Sequence, residues 1–248
     1  MSVQETWLVL GASSAIARAF ARVAATAGAD VILAGRDLED LEHTAADLRI
    51  RTQVKVGVVS FDALNFDSHA VLVEQVTSRA RHPLSVFLAF GVMAEQSEID
   101  ADFAAGLQTI NGTYTGAVSV LAHLAASLEN QRGGHVIALG SVAGDRGRIK
   151  NYVYGSAKAG LHAYLQGLRA RLFRAGVSVT TVKPGFVDTA MTYGLEGMFL
   201  VAAPDDVAKT CWRRGRRGAE EIYVPWFWWG IMVIIRNIPE FIFKRLNI

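Results

Sequence analysis

The sequence has little cysteine, little proline and no apolar stretch long enough to cross a membrane. Of its 248 residues one is cysteine and five are proline. The single Cys211 excludes a framework of internal disulfides and a metal site built from several thiolates, and we expect no metal. Residues 222–235 carry no charge, but a helix needs roughly 20 apolar residues to span a bilayer.

An excess of charge of one sign is also missing. The chain has 25 basic and 23 acidic residues, a formal net charge of +2, which is too small to indicate nucleic-acid binding. The N-terminal MSVQETW has neither the basic start nor the apolar run of a secretory signal peptide, so we expect a cytoplasmic protein. Because 51% of the residues are hydrophobic, the chain can bury one sizeable core.

Short apolar runs alternate along the chain with segments of helical periodicity. The runs are rich in Val, Ile and Leu, as expected for strands covered on both faces, and lie at 6–10, 30–35, 54–60, 84–90, 135–141, 177–184 and 221–225. Candidate helices lie near 14–28, 38–50, 66–81, 98–128, 153–175 and 205–217. The alternation predicts an α/β fold, a doubly wound parallel sheet of about seven strands with helices on both faces. In such sheets ligands bind beyond the carboxyl ends of the strands.

The stretch GASSAIA, residues 11–17, follows the first predicted strand. Ser13 and Ser14 can cap the helix that begins there, and the free N–H groups of a helix N-terminus attract a pyrophosphate. Gly11 can make the turn and Ala17 can pack helix against strand, whereas the methyl group of Ala15 approaches the phosphate position. A dinucleotide-binding loop and a plain strand–helix turn both fit this stretch.

The end of the second strand reads AGRD. NAD-binding folds often place an acidic residue there for the adenosine ribose. Here Gly35 takes that position and Arg36 follows it, and a guanidinium suits a 2′-phosphate. The pattern therefore favours NADP(H). Asp37 leaves NAD(H) as an alternative cofactor. Arg36 could also be a solvated arginine at a strand end with no role in binding.

Tyr154 and Lys158 stand four residues apart in VYGSAKAG, which puts both side chains on one face of a helix. Ser141 ends the fifth predicted strand and Asn111 lies in the long helical segment before it. Taken singly, these residues have structural explanations: a satisfied polar group, a strand cap or a surface lysine. Together they resemble the short-chain dehydrogenase/reductase family over nearly the whole chain. The shared features are the glycine loop, Asp62, Asn111, Ser141, Tyr154-x-x-x-Lys158 and Pro184-Gly185.

The resemblance implies a single-domain Rossmann fold that transfers hydride between a nicotinamide cofactor and a carbonyl carbon. A free tyrosine has a pKa of about 10, and the ammonium of Lys158 would lower it. Tyr154 is then the general acid in reduction, and Lys158 also holds the nicotinamide ribose. Ser141 would hydrogen-bond the substrate oxygen, and Asn111 would position a water that links Lys158 to solvent.

The same resemblance assigns cofactor contacts along the carboxyl edge of the sheet. They are Gly11, Ser13, Ser14, Ala15, Ile16, Arg36, Asp62, Ala63, Ala89, Phe90, Gly91, Tyr154, Lys158, Pro184, Gly185, Val187 and Thr189. One motif departs from the family. Its members usually carry Asn-Asn-Ala-Gly after the fourth strand, where residues 88–91 read LAFG. The asparagine hydrogen bonds that brace the sheet are therefore missing.

The segment 190–204 corresponds to the family's substrate lid and is apolar, which favours a lipophilic keto substrate or ordinary core packing. Three stretches, 110–120, 141–161 and 182–192, resemble the decaprenylphosphoryl-ribose 2-keto reductases, which implies a keto-sugar carried on a polyprenyl phosphate. Basic residues of the loop before Tyr154 would then meet the lipid phosphate. The candidate substrate contacts are Arg146, Arg148, Met191, Tyr193, Met198 and Phe199.

We expect residues 1–225 to form the catalytic domain and residues 226–248, here called the C-terminal segment, to be an aromatic and apolar addition. Its tryptophans and cations are typical of a peripheral membrane contact. Such a contact would lie on the inner face of the membrane. Packing in an oligomer interface or over the substrate pocket fits equally well. By resemblance, the helices at 98–128 and 153–175 predict a homodimer or homotetramer.

Two other functions fit the same residues. A general carbonyl or 3-ketoacyl reductase would use the same catalytic groups, because fold and catalytic residues do not select the substrate. A non-catalytic dinucleotide-binding sensor or assembly module is favoured only by Ala15 and the missing asparagines.

Overall fold

The computed structural model describes residues 4–192 and 199–246. It contains a parallel sheet of seven strands in the order β3-β2-β1-β4-β5-β6-β7. The strands are β1 Thr6–Leu10, β2 Asp30–Gly35, β3 Val56–Ser60, β4 Leu84–Leu88, β5 His135–Leu139, β6 Ser178–Pro184 and β7 Glu221–Val224. The strand order reverses between β1 and β4, which is where doubly wound sheets open a crevice for a ligand. The predicted fold class is confirmed.

Helices cover both faces of the sheet. They are α1 Ala15–Thr26, α2 Leu38–Thr52, α3 His69–Arg79, α4 Gln96–Ala101, α5 Phe103–Ile110, α6 Gly116–Gln131, α7 Tyr152–Leu172, α8 Pro204–Thr210, α9 Trp228–Asn237 and α10 Glu240–Phe243. One apolar core lies under α1, α2 and α8 and includes Phe20 and Phe87. The other lies under α3, α6 and α7 and includes Leu121 and Leu165. Burial of apolar surface on both sides explains why the strands are hydrophobic throughout.

The prediction of one continuous helix at 98–128 is wrong. The structure divides this region into α4, α5, a π-helical turn Asn111–Thr115 and α6. Asp102 breaks the first part, because its side chain accepts the Ala104 N–H at 2.9 Å and so begins a new helix. At the start of α6, a Cβ on Gly116 would lie 2.3 Å from the Ala63 carbonyl oxygen. Glycine therefore lets α6 approach the loop that follows β3.

The end of the chain also differs from prediction. The helix expected at 205–217 is α8 followed by a π-helical turn Cys211–Gly215. The C-terminal segment contains α9 and α10, and Trp228 and Met232 of α9 are buried against Val142 and Tyr223. None of the helices within the described residues has the length and hydropathy that crossing a bilayer requires.

Candidate active site

A cleft of about 720 Å³ opens at the carboxyl ends of the strands. All the positions to which the sequence assigned cofactor contacts line this cleft: Gly11, Ser13, Ser14, Ala15, Ile16, Arg36, Asp62, Ala63, Ala89, Phe90, Gly91, Tyr154, Lys158, Pro184, Gly185, Val187 and Thr189. Ser141 lines it as well. The fold therefore brings residues from six separate loops to one surface.

The glycine loop makes the turn that the sequence predicts. Gly11 has φ +76°, and a Cβ there would lie 2.8 Å from the Cβ of Phe90, so only glycine fits. Ser14 caps α1 by accepting the Ala17 N–H at 3.2 Å. Ala17 is fully buried against the sheet, whereas Ala15 is exposed at the first position of α1. The remaining N–H groups of the first turn are available to an anion in the cleft, so this loop fits a dinucleotide pyrophosphate.

At the end of β2 the two candidate residues have different surroundings. Arg36 is exposed and lines the cleft. The carboxylate of Asp37 instead accepts the Asp40 N–H at 3.0 Å and caps α2. Asp40 also forms an ion pair with Arg18. Because Asp37 already has a structural partner, Arg36 is the group of the two whose charge faces the cleft.

Tyr154 and Lys158 lie in the first two turns of α7 and are buried. The ammonium of Lys158 donates to the Leu139 carbonyl oxygen at 2.8 Å and lies 5.8 Å from the centre of the Tyr154 ring. Ser141 follows β5, and its Oγ accepts the Ala143 N–H at 3.1 Å. The helical spacing of Tyr154 and Lys158, together with the loop after β5 that carries Ser141, places the three residues in one cleft.

Burial controls the ionisation of both titratable groups. It raises the pKa of Tyr154 to about 12, against a hydrogen bond with Ser141 that lowers it. Burial lowers the pKa of Lys158 to about 8, because an ammonium loses its hydration there. The expected lowering of the Tyr154 pKa by Lys158 is absent from the protein alone.

Asn111 begins the π-helical turn, and its Oδ1 accepts a hydrogen bond from Thr115 Oγ1 at 3.1 Å. A residue that the sequence did not single out lies two positions later. Thr113 Oγ1 accepts the Val92 N–H at 2.9 Å and donates to the Val92 carbonyl at 2.8 Å. This side chain braces the loop after β4, where the family's asparagines are missing. Only the spacing of small polar residues before α6 signals it in the sequence.

A buried histidine supports the loop that carries Ser141. Nε2 of His162 accepts the Ser141 N–H at 3.4 Å. Its ring fills space that side chains at Gly140 and Gly144 would occupy, since a Cβ at either would lie less than 3 Å from it. Burial, followed by the charge of Lys183, lowers the pKa of His162 to about 3. The signal in the sequence is a histidine four residues after Lys158, paired with two glycines after β5.

The network continues away from the cleft. Asp145 Oδ1 lies 3.7 Å from His162 Nδ1 and 2.9 Å from Lys183 Nζ. The hydroxyl of Tyr223 donates to Asp145 Oδ2 at 2.6 Å, and Glu221 lies 3.1 Å from Lys183. The side chains of Asp145 and Lys183 are almost fully buried. These paired charges connect β6 and β7 to the loop that carries Ser141.

Five of the six predicted substrate residues separate into three groups, and the sixth has a placement of its own. Arg148 and Met191 line the cleft. Phe199 packs against Phe186 and Trp228, with ring centres 5.8 Å and 5.4 Å apart. Tyr193 and Met198 lie outside the described residues.

Arg146 is not where the basic-loop hypothesis expects it. Its guanidinium donates to the carbonyl oxygens of Ile235, Arg236 and Ile238 at 2.7–3.0 Å. It also forms an ion pair with Glu240 and stacks over the ring of Phe243. Arg146 therefore fastens the C-terminal segment to the domain, and its hydrogen-bonding capacity is used there rather than in the cleft. Among the described residues, no group of three potential metal ligands is present.

The family model described as short chain dehydrogenase matches residues 5–197. An uncharacterized oxidoreductase of Mycobacterium tuberculosis is 34% identical over 239 residues, covering 96% of each chain. An uncharacterized oxidoreductase of Streptomyces coelicolor is 36% identical over 241 residues, covering 96% of this chain and 94% of that one.

Solved structures share the fold at lower identity. A variant of actinorhodin polyketide ketoreductase with NADPH aligns with a TM-score of 0.79 and 21% identity, covering 90% of this chain and 97% of its own. The bulky-bulky ketone specific alcohol dehydrogenase from Comamonas testosteroni aligns with a TM-score of 0.79 and 18% identity, covering 97% and 96%. The cleft, the Ser141, Tyr154 and Lys158 constellation and these relatives together identify the chain as a member of the short-chain dehydrogenase family and an oxidoreductase.

Proposed function

We propose that this oxidoreductase reduces a ketone to a secondary alcohol with NADPH, and that Tyr154 donates the proton. The observation that carries the proposal is that Tyr154 and Lys158, both buried, line the same cleft as Ser141. A high tyrosine pKa keeps the hydroxyl protonated at neutral pH, as a general acid requires. The buried ammonium of Lys158 lies within reach to stabilise the phenolate that forms.

Each side chain has a separate task in this mechanism. Ser141 Oγ accepts the Ala143 N–H, and its own hydroxyl hydrogen would be donated to the substrate carbonyl oxygen. Tyr154 donates its proton to that oxygen as negative charge develops on it. Asn111 holds a water on the path from Lys158 to solvent. A bound reduced nicotinamide supplies the hydride, and the protein supplies position and electrostatics.

The preference for NADPH rests on Arg36. Its side chain is exposed at the cleft, while Asp37 is occupied in capping α2. A guanidinium at this position attracts the 2′-phosphate of NADPH and offers no acceptor for the ribose hydroxyls of NADH. NADH remains the weaker alternative.

For the substrate, we propose a lipophilic ketone, and more narrowly a keto-sugar linked to a polyprenyl phosphate. Met191 lines the cleft, and Phe199, Phe186 and Trp228 form an aromatic cluster beside it. These side chains support an apolar substrate portion. A general carbonyl or 3-ketoacyl reductase would use the same catalytic residues. Two structural neighbours, a polyketide ketoreductase and a ketone-specific alcohol dehydrogenase, support a ketone substrate in either case.

For partners, we propose a homo-oligomer and a peripheral contact with an anionic membrane surface. The C-terminal segment supports the membrane contact. It exposes Trp226, Trp229, Val233, Ile234, Phe241, Ile242 and Leu246. The cations Arg236, Lys244 and Arg245 are exposed among them, and Glu240 is already paired with Arg146. Trp residues at a membrane interface with cations toward anionic head groups are a recurring arrangement.

The catalytic proposal is tested by the oxidation of NADPH in the presence of a panel of ketones. We expect turnover by the wild type and a loss of about 10²- to 10⁴-fold in kcat for Tyr154→Phe, with NADPH affinity retained. Tyr152→Phe is the matched control, because the Tyr152 hydroxyl is exposed and binds Asp100. Full activity of Tyr154→Phe would remove its role as acid, and an absence of turnover with tight NADPH binding would favour the non-catalytic module.

A further inference from the structure

Arg148 has a guanidinium in the wall of the cleft, and among the described residues no carboxylate forms an ion pair with it. It lines the same cleft as Ser141 and Tyr154. Among the described residues its Nε is buried without a hydrogen-bond partner, and its Nη2 contacts the Sδ of Met232 at 3.3 Å. A thioether sulfur is a weak acceptor. The charge is therefore poorly satisfied by the fold.

Two charged side chains near Arg148 have strong protein partners, unlike the Arg148 guanidinium. Arg146, two residues earlier, has three carbonyl oxygens and Glu240 as acceptors. The nearby carboxylate of Asp145 is taken by Lys183 and by the hydroxyl of Tyr223. Burial lowers the pKa of Arg148 against the opposing charge of Asp145, but an arginine stays protonated in proteins. A buried cation without a partner is costly to the fold, so a ligand that pairs with it gains affinity.

A second polar group of the cleft is also unsatisfied. Among the described residues, Asn151 Oδ1 is buried without a hydrogen-bond partner, and Asn151 lines the cleft. It precedes α7 and stands three residues before Tyr154. Arg148 and Asn151 thus belong to the β5–α7 loop, on the catalytic side of the cleft. Arg36 and the glycine loop, which suit the phosphates of the cofactor, belong to the β1–α1 and β2–α2 connections.

We propose that Arg148 binds an anionic oxygen group of the substrate, a carboxylate or a phosphate, and that Asn151 binds a polar group beside it. The inference rests on the proposed reductase function, because it places the anion next to the ketone that Tyr154 protonates. It narrows the substrate class from ketones in general to ketones that carry an acid. A keto acid and a phosphate-linked keto-sugar offer the same oxygen chemistry to a guanidinium.

Matched pairs of probe ketones test the charge directly. Levulinate is compared with methyl levulinate, and dihydroxyacetone phosphate with dihydroxyacetone. In the wild type we expect kcat/KM for the charged member of at least one pair to exceed that of its neutral partner by about 10- to 100-fold. The pair with the larger ratio identifies the carboxylate or the phosphate as the preferred anion. A wild type that prefers both neutral members overturns the proposal.

Variants then assign the preference to Arg148. Arg148→Gln should abolish the ratio by lowering kcat/KM for the charged ketones, and Arg148→Lys should retain part of it. Arg174→Gln is the control, because Arg174 is exposed beyond the far end of α7, roughly 30 Å from Tyr154 along the helix. A ratio that persists in Arg148→Gln overturns the assignment. If that variant does not fold, Arg148→Lys and the wild-type ratios decide.

A binding readout separates this inference from the reductase proposal. With saturating NADPH, inorganic phosphate should raise the Tm of the wild type and of Arg174→Gln but not of Arg148→Gln. If no ketone is turned over and this Arg148-dependent shift persists, the reductase proposal fails and the anion site stands. If NADPH is oxidised and neither a charge preference nor the shift is seen, the anion site fails and the reductase stands.

Discussion

The backbone N–H of Ser141 donates to Nε2 of His162 at 3.4 Å, so an imidazole buried behind the loop after β5 holds the residue that we propose contacts the substrate oxygen. Because Nε2 accepts, the ring hydrogen resides on Nδ1, which faces Asp145 at 3.7 Å. The pKa of about 3 keeps this ring uncharged at neutral pH. His162 is therefore a positioning residue rather than an acid or base.

Substitution of His162 should lower kcat without weakening cofactor binding. His162→Phe keeps a ring between Gly140 and Gly144 but leaves the Ser141 N–H without an acceptor, at a cost of about 1–3 kcal/mol for a buried donor. We expect kcat for ketone reduction to fall by about 10-fold, with the Kd for NADPH unchanged. His162→Gln, whose amide oxygen can accept, should restore part of the rate.

The pH profile separates positioning from proton transfer. Because the imidazole is uncharged, the kcat profile of His162→Phe should keep the shape of the wild-type profile at a lower level. A lost or shifted limb between pH 6 and pH 8 would contradict the assignment, and so would a variant as fast as the wild type.

Burial of the Lys158 ammonium should lower the free energy of unfolding of the wild type. Burial lowers the pKa of Lys158 from the ordinary value of 10.5 to about 8, so the unfolded chain binds the proton more tightly. The resulting loss in the free energy of unfolding is complete below pH 8 and disappears as the pH rises to 10.5. Lys158→Met, which also loses the hydrogen bond to Leu139, should raise the free energy of unfolding at pH 7 by about 2 kcal/mol.

The measurement is urea unfolding of Lys158→Met and wild type at pH 7 and pH 10. The difference in unfolding free energy should be smaller at pH 10, and the variant should be inactive as a reductase. A variant less stable than the wild type at pH 7 would mean that burial of the ammonium is compensated within the protein.

Arg36 should control the choice between the two dinucleotides. Arg36→Gln removes the charge that suits the 2′-phosphate, so the Kd for NADPH should rise by about 10- to 100-fold, the range of charge-assisted hydrogen bonds. The Kd for NADH should stay within a factor of about two, since NADH carries no group for that charge. Fluorescence titration of the reduced nucleotides measures both values, with Arg174→Gln as the control. Equal weakening of both would show that Arg36 supports the loop rather than the phosphate.

The sheet and the meeting of Ser141, Tyr154 and Lys158 in one cleft could be predicted because local signals determine them. Each strand is a short run of Val, Ile and Leu, and every predicted strand is present with ends that differ by no more than two residues. The Tyr154–Lys158 spacing places both residues on one helix face irrespective of the rest of the chain. The turn at Gly11 is also a local signal, because glycine adopts a positive φ more easily than other residues.

What the sequence could not provide depends on contacts between distant segments. The break at Asp102 uses a side-chain cap inside an otherwise helical pattern, and the π-helical turn at 111–115 lies where α6 approaches the β3 loop. Arg146 reads as a free cation in the sequence, yet its acceptors are some ninety residues away in the C-terminal segment. The unsatisfied state of Arg148 likewise depends on Lys183 occupying Asp145.

The exposed face of the C-terminal segment should bind anionic vesicles. Trp226 is 78% exposed and Trp229 is 61% exposed, and Val233 lies one turn after Trp229 on α9. Burial of one large side chain in lipid contributes about 1.5–3 kcal/mol. The wild type should therefore co-sediment with vesicles of phosphatidylglycerol and phosphatidylcholine. The double variant Trp226→Ser, Trp229→Ser should lose most of this binding, by about 10-fold or more.

The controls distinguish a lipid surface from a second copy of the chain. Phe173 is 78% exposed immediately after the C-terminal end of α7. Phe173→Ser therefore removes exposed apolar area outside the C-terminal segment, and this variant should bind vesicles as the wild type does. Vesicles of phosphatidylcholine alone, or added salt, should weaken binding because the cations Arg236, Lys244 and Arg245 then lose their partners. If light scattering instead finds an oligomer that the double tryptophan variant dissociates, and the wild type ignores vesicles, another protomer covers this face and the membrane contact is wrong.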